Sequence, residues 1–156
     1  MAINSAEKLS CVILPLQHTG GILIPASALV EVIDSKNLNV VVDLQSGVLG
    51  KMQWKNAAIP IISYEAAAGL VPASFNSETR AVVVRIAIEN IRLDYVAITI
   101  SGIPRYIELS SGQIKAVPDE DNIGNLLSET RVQVDGQLLW VADMNAVAHH
   151  IQAQVI

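Results

Sequence analysis

The sequence is poor in cysteine, aromatic residues and charge. Its 156 residues include one cysteine, 4% aromatic and 16% charged side chains. The single cysteine, Cys11, excludes an internal disulfide, and its place in an apolar run predicts a buried, unreactive thiol. Ten scattered basic residues are outnumbered by 15 acidic ones, so the net charge is −5. Nucleic-acid binding needs a basic patch, and we therefore expect no nucleic-acid partner.

An uninterrupted apolar stretch that could cross a membrane is also missing, although the mean hydropathy is high at +0.43. Residues 9–30 carry no charge, but Pro15, Gly20 and Pro25 interrupt them, whereas a spanning helix needs about 20 mostly apolar residues. Residues 1–9 lack the basic and then apolar order of a secretory signal. We therefore expect no membrane insertion and a cytoplasmic location.

Branched aliphatic residues are what the chain has in abundance. It contains 19 isoleucines, 18 valines and 15 leucines, a third of all residues, which excludes a disordered chain. Because isoleucine and valine suit a pleated surface better than a helix, the composition predicts a mostly β protein. Its apolar content exceeds what one small core needs, and exposed apolar patches mark interfaces. A binding module is therefore expected.

Turn-forming residues divide the aliphatic runs into short strands. Asn56 and Asp135-Gly136 predict hairpin turns, and Asp143 predicts the start of an amphipathic C-terminal helix. Strands are predicted at 9–16, 22–24, 48–55, 58–64, 81–88, 91–100, 105–109, 131–134 and 138–142. Short helices are predicted at 25–33 and 64–70, and an acidic loop or irregular helical turn at 114–129. The strand pattern restarts near residue 81, which indicates two similar lobes of a barrel or sandwich type.

Recognisable sequence motifs for catalysis and metal binding are missing. Neither a glycine-rich phosphate loop nor a G-x-S-x-G nucleophile turn occurs. The acidic run at 119–121 fails as a calcium loop because its fifth and twelfth positions are Ile123 and Thr130. His149 and His150 are adjacent on a helix and point about 100° apart. We expect no catalytic residue, no metal and no cofactor.

The order of the remaining features resembles the CheW-like adaptor family of bacterial chemosensory systems. Residues 29–32, LVEV, fall on the family's V-x-E-[IV] stretch, and residues 50–64 fall without a gap on its G-V-x-N-L-R-G-x-x-x-P-[IV]-[IV]-D-L run. Ala68-Gly69 stands at the end of the small helix that follows. Residues 98–103 are similar to G-[IL]-V-V-D-x-V, and residues 138–147 to the closing L-L-x-L-D-x-x-x-L-L. The resemblance covers residues 9–148 as one domain, with tails at 1–8 and 149–156.

Several positions depart from the family pattern. The largest departure is Trp54-Lys55 where the family has Leu-Arg, and this change most resembles the ChpC-type adaptors of type IV pilus twitching motility. A lysine keeps the positive charge but loses the bidentate fork of an arginine. The other departures are Gln53, Asn56, Ser63, Ser101 and Arg105.

The resemblance implies two five-stranded SH3-like barrel lobes around a shared core, with short helices and a C-terminal helix. It also implies a non-catalytic adaptor between methyl-accepting chemoreceptor tips and a CheA-type histidine kinase, associated with receptor arrays through these partners. The partner-binding residues that it implies are Lys55, Trp54, Glu31, Gly50 and Gly102.

Alternatives stay open at this level, both for single residues and for the function. Glu31 and Lys55 are equally well explained as ordinary solvated charges, and Trp54 either forms part of a recognition edge or packs in a core. A two-lobed barrel also suits a small-molecule-binding protein or an enzyme, which a deep polar pocket between the lobes would favour. Besides the adaptor and the small-molecule-binding or enzymatic barrel, a structural subunit of the pilus machinery is a third possible class of function.

Overall fold

A computed structural model of the chain describes residues 8–17, 20–34, 48–67, 78–86, 94–117 and 128–155. Strands dominate these ranges, as the aliphatic composition predicts. The strands are β1 (Lys8–Leu14), β2 (Ile22–Pro25), β3 (Leu29–Asp34), β4 (Val48–Trp54), β5 (Ala57–Ser63), β6 (Thr79–Arg85), β7 (Tyr95–Ser101), β8 (Arg105–Ser110), β9 (Ile114–Val117), β10 (Ser128–Val134) and β11 (Gln137–Ala142). The α-helices are α1 (Tyr64–Ala67) and α2 (Met144–Val155), and single 3₁₀ turns lie at Ala26–Ala28 and Ser111–Gln113.

The strands form two sheets, and each sheet is the base of one lobe. The first lobe has the strand order β8-β1-β2-β11-β10-β9, and the second has β3-β6-β7-β5-β4. Most neighbours are antiparallel, but β2 pairs in parallel with β11 and β5 in parallel with β7. The mostly β fold with two lobes is confirmed, and the first sheet has one strand more than predicted.

A shared core lies between the sheets and is completed by the two α-helices. It takes one face of each sheet, including Val12 and Ile22 from the first and Val82 and Ile98 from the second, all fully buried. Ile151 of α2 also lies in it, so the helix packs through part of the segment predicted as a C-terminal tail. The opposite face of each sheet encloses a smaller core of its own. Successive aliphatic side chains of one strand thus point alternately into the shared core and into the smaller core of that lobe.

The predicted turns and caps that lie in the described ranges are confirmed. Lys55 and Asn56 have φ values of 43° and 66°, and Asp135 and Gly136 have 49° and 83°. Two consecutive positive φ values are those of a type I′ hairpin turn. The Asp143 carboxylate accepts a hydrogen bond of 3.2 Å from the Ala146 backbone N–H, which caps α2.

The predicted helix at 25–33 is wrong beyond its first turn. Pro25 ends β2, residues 26–28 form a 3₁₀ turn, and residues 29–34 form β3, which pairs antiparallel with β6. Pairing with a neighbouring strand satisfies the backbone of this β-branched stretch better than a helix would, because Val30, Val32 and Ile33 lose side-chain freedom in a helix. Glu31 therefore stands on an edge strand.

The predicted loop or helical turn at 114–129 is also wrong at both ends. Residues 114–117 form β9, which pairs with β10, and β10 begins at Ser128. Four-residue β9 is too short to show a clear alternation, so only its partner reveals it. The predictions for residues 18–19, 68–77, 87–93 and the acidic run at 119–121 lie outside the described residues.

Cys11 is buried in the small core of the first lobe, as predicted, with 9% of its surface exposed. Burial raises the pKa of its thiol above the ordinary value, because a thiolate is poorly solvated there. The reactive thiolate is therefore scarce near neutral pH.

Candidate functional site

Three of the five predicted partner-binding residues come together at one end of the second lobe. Glu31 lies on β3, Trp54 ends β4, and Lys55 opens the turn that follows. Strands β3 and β4 are the two edges of the five-stranded sheet, so they are far apart in strand order. The sheet curves until its two edges are linked by side chains at this point.

The link is a hydrogen bond between the indole of Trp54 and the carboxylate of Glu31. Trp54 Nε1 donates to Glu31 Oε2 over 2.5 Å. A hydrogen bond to a carboxylate is stronger than one between neutral groups because the acceptor is charged. We call this pair the clasp, since it joins the two edge strands of the second lobe.

The Trp54 ring has further partners on both sides. The Tyr95 ring, at the start of β7, lies 4.9 Å away between centroids at a tilt of 56°, and Lys55 Nζ lies 5.0 Å from the indole centroid. The ring also packs, half-buried, against the small core of the second lobe. A tilted aromatic pair and a cation over an indole face are both favourable. Trp54 is therefore both a core residue and a part of the surface.

Gly50 belongs to the same edge strand but not to the clasp. Its φ is +136°, and the β4–β5 register shifts between residues 48 and 50. A bulge of this kind bends an edge strand, and a positive φ favours glycine. The role of Gly50 in the site is thus to shape β4.

Gly102 lies elsewhere, at the opposite end of β7 from Tyr95. Its φ is +104°, its N–H donates to the Glu78 carbonyl over 3.0 Å, and its carbonyl accepts from the Arg80 guanidinium over 3.2 Å. The neighbouring Ser101 N–H donates to the Pro15 carbonyl. Gly102 therefore belongs to the link between the two lobes, and the structure does not bring it together with the other four.

Two features near this link were missed by the sequence reasoning. Ile103, in the bend between β7 and β8, and Tyr106, on β8, are 72% and 64% exposed. An open recess of about 240 Å³ lies beside Ile103 and is lined by Ile13, Pro15, Gly20, Ile103, Arg105 and Gln137. In the sequence, the one sign of this surface was Arg105, which departs from the family pattern. Its guanidinium donates to Gln137 Oε1 over 3.1 Å.

Tyr95 is a further contact of Trp54 that the sequence did not predict. No spacing rule connects it with Trp54, because the contact depends on how β7 and β4 flank β5.

Within the described ranges, no group of three His, Cys, Asp or Glu side chains is placed to hold a metal ion. No helix in these ranges is long and apolar enough to cross a membrane.

Comparison with known proteins agrees with this architecture. The family model described as "CheW-like domain" matches residues 12–152. The crystal structure of the scaffolding protein TtCheW from Thermoanaerobacter tengcongensis superposes with a TM-score of 0.67 and 14% sequence identity, covering 87% of this chain and 89% of that one. A search of curated proteins found no match. At this identity the structural match supports a common fold.

Proposed function

Because this chain belongs to the CheW-like domain family, we propose that it is a non-catalytic adaptor that couples chemoreceptors to a CheA-type histidine kinase. The observation that carries the proposal is the family match over residues 12–152, which includes both lobes and the link between them. The solved structure that shares the fold is itself described as a scaffolding protein. The Trp54-Lys55 pair supports the narrower proposal of a ChpC-type adaptor in type IV pilus twitching motility.

The mechanism that we propose is geometric coupling. One lobe docks on the kinase, and the groove between the lobes accepts the helical tip of a receptor, so that the adaptor sets the distance and angle between them. The shared core allows such coupling, because fully buried side chains of both sheets pack against each other. Closely packed interiors transmit displacement with little compression. The two partner surfaces would then move as one body.

Co-purification with the regulatory domain of the CheA-type kinase encoded nearest to this gene tests the proposal. We expect a complex that survives size-exclusion chromatography at micromolar concentrations. If the folded adaptor elutes apart from every candidate kinase and receptor signalling domain, the coupling function is wrong. A stable assembly with pilus components and without the kinase would instead identify a structural subunit.

Lys55→Glu is expected to weaken kinase or receptor binding about tenfold, which corresponds to about 1.4 kcal/mol, without unfolding the protein. Lys55 is exposed and sits in the turn beside the clasp, so reversal of its charge alters the surface and not a core. Isothermal titration calorimetry measures the affinity, and thermal melting checks the fold.

Lys115→Glu is the matched control for this prediction. Lys115 is also an exposed lysine on an edge strand, but it lies on β9 of the first lobe. Equal affinities for the Lys55 and Lys115 variants would remove Lys55 from the binding site.

A further inference from the structure

The residues that follow β1 tie the first lobe to the second. They are Pro15, Leu16 and Gln17, which we call the strap. The Pro15 carbonyl accepts a hydrogen bond of 2.9 Å from the Ser101 N–H at the end of β7. Leu16 is buried in the shared core, and the Gln17 N–H donates to a carboxylate oxygen of Glu65 over 3.0 Å. Each residue of the strap is thus held against the second lobe or in the core that both lobes share.

The two anchor points on the second lobe lie side by side because β5 and β7 run in parallel. Ser63, the last residue of β5, is opposite Thr99 of β7, so both strands end at the same edge of the sheet. Helix α1 follows β5 directly and carries Glu65, and Ser101 ends β7. The strap therefore binds at this edge through both strand ends.

Glu65 is unusual because only 3% of this glutamate is exposed. Glutamate is almost never buried to this extent unless it is paired, since a polar group that loses its hydration needs a hydrogen bond in return. Its neighbours in α1, Tyr64 and Ala67, lie among the aliphatic side chains of the shared core. Burial alone would be served by an apolar side chain at this position, and the carboxylate adds the hydrogen bond to the strap.

The shared core and this hydrogen bond constrain the lobes in different ways. Burial of apolar surface favours contact but has no preferred direction, whereas a hydrogen bond weakens steeply when it is misaligned. Rotation of one lobe against the other would pull the Gln17 N–H away from Glu65. A buried carboxylate would then lose this donor, which costs free energy.

We propose that Glu65 is a positioning residue that selects one orientation of the first lobe relative to the second by holding the strap. The inference goes beyond the proposed function, because it concerns the chain alone and needs no partner. In an adaptor, the same residue sets the angle at which the two partner surfaces are presented.

The distance between spin labels on the two lobes tests the proposal. Lys51→Cys on β4 and Lys115→Cys on β9 place the labels at exposed positions of edge strands, and Cys11→Ala removes the native thiol. Double electron–electron resonance should give one narrow distance distribution for this background and for Glu65→Gln, because glutamine has the same length and keeps an acceptor oxygen. Glu65→Ala lacks the acceptor and Glu65→Asp is one methylene shorter, so we expect both to give a broader distribution or a second distance.

Ser63→Ala is the matched control. Ser63 Oγ accepts a hydrogen bond of 3.3 Å from the Ala66 N–H, so this variant also removes a buried acceptor at α1, but one whose donor belongs to the same lobe. We expect a lower thermal midpoint and an unchanged distance between the lobes. Labels at Glu108→Cys and Lys115→Cys, both in the first lobe, should report the same distance in every variant.

Hydrogen exchange shows whether the bond to the strap is broken in each variant. The Gln17 amide proton should exchange about tenfold faster in Glu65→Ala and Glu65→Asp than in the wild type, because a hydrogen bond that protects it is lost. An unchanged exchange rate overturns the inference, since the strap then does not depend on Glu65.

A purely local role of Glu65 gives a different set of distances. If exchange at Gln17 is faster but the distance between the lobes keeps its narrow distribution, the positioning role is wrong. Equal broadening in Ser63→Ala or Glu65→Gln also overturns it, because destabilisation alone would then loosen the lobes. If Glu65→Ala does not fold, Glu65→Asp decides the test. No partner takes part in these measurements, so a failed co-purification leaves the inference standing, and unchanged distances leave the adaptor function standing.

Discussion

Ile98→Ala is expected to lower the free energy of unfolding by about 2–5 kcal/mol. Ile98 is fully buried in the shared core, opposite Ile62 on β5 and Val82 on β6. Truncation removes apolar contacts and leaves a cavity. The flanking strands cannot move in to close it, because the hydrogen bonds within each sheet hold them in place. Urea denaturation measures the change.

The same variant should destabilise both lobes together. Trp54 lies in the second sheet and Trp140 in the first, so the Trp54→Phe and Trp140→Phe backgrounds each report on one lobe by fluorescence. We expect one transition, shifted equally in both backgrounds. Ile103→Ala is the control, because Ile103 is 72% exposed and should change stability by no more than about 0.5 kcal/mol. Separate midpoints for the two reporters would show that the shared core does not couple the lobes.

Gly20→Ala is expected to destabilise the protein by about 1–3 kcal/mol. A Cβ at Gly20 would overlap the backbone carbonyl oxygen of Leu138 on β11, and backbone atoms cannot move aside as a flexible side chain can. The chain before β2 must therefore shift away from β11. This shift strains the short parallel pairing of Ile22 with Trp140, so thermal melting should show a lower midpoint.

Gly112→Ala provides the comparison for Gly20→Ala. No heavy atom lies within 4 Å of the position that a Cβ at Gly112 would take, so we expect a change of less than about 0.5 kcal/mol. A Gly20 variant as stable as the Gly112 variant would show that β2 and β11 are less tightly paired than the structure indicates.

The local features of the fold could be predicted from the sequence because they depend on a few neighbouring residues. The hairpin turns at Asn56 and at Asp135-Gly136 follow from residues that tolerate positive φ, and the start of α2 follows from the Asp143 cap. The alternation of Met52 and Trp54 with Lys51 and Gln53 correctly separated the two faces of β4.

Features that depend on distant partners could not be predicted. Residues 29–34 form a strand because β6 pairs with them, and β9 exists because β10 does. Glu31 and Trp54 were both singled out as separate partner-binding residues, but no local rule joins two residues on opposite edges of one sheet. The contact of Tyr95 with Trp54 could not be predicted for the same reason, because it depends on sheet topology and not on sequence spacing.

Along the sequence, all strands of the second sheet lie between strands of the first, and this order has a consequence for folding during synthesis. All five strands of the second sheet lie between Leu29 and Ser101, whereas the first sheet needs β1 and β2 from one end and β10 and β11 from the other. As the polypeptide leaves the ribosome, the second sheet is complete while β1 and β2 still wait for their distant partner β11. Such pairings between remote segments form slowly, so the aliphatic strands at the beginning of the nascent chain are the ones most exposed to aggregation and to chaperones.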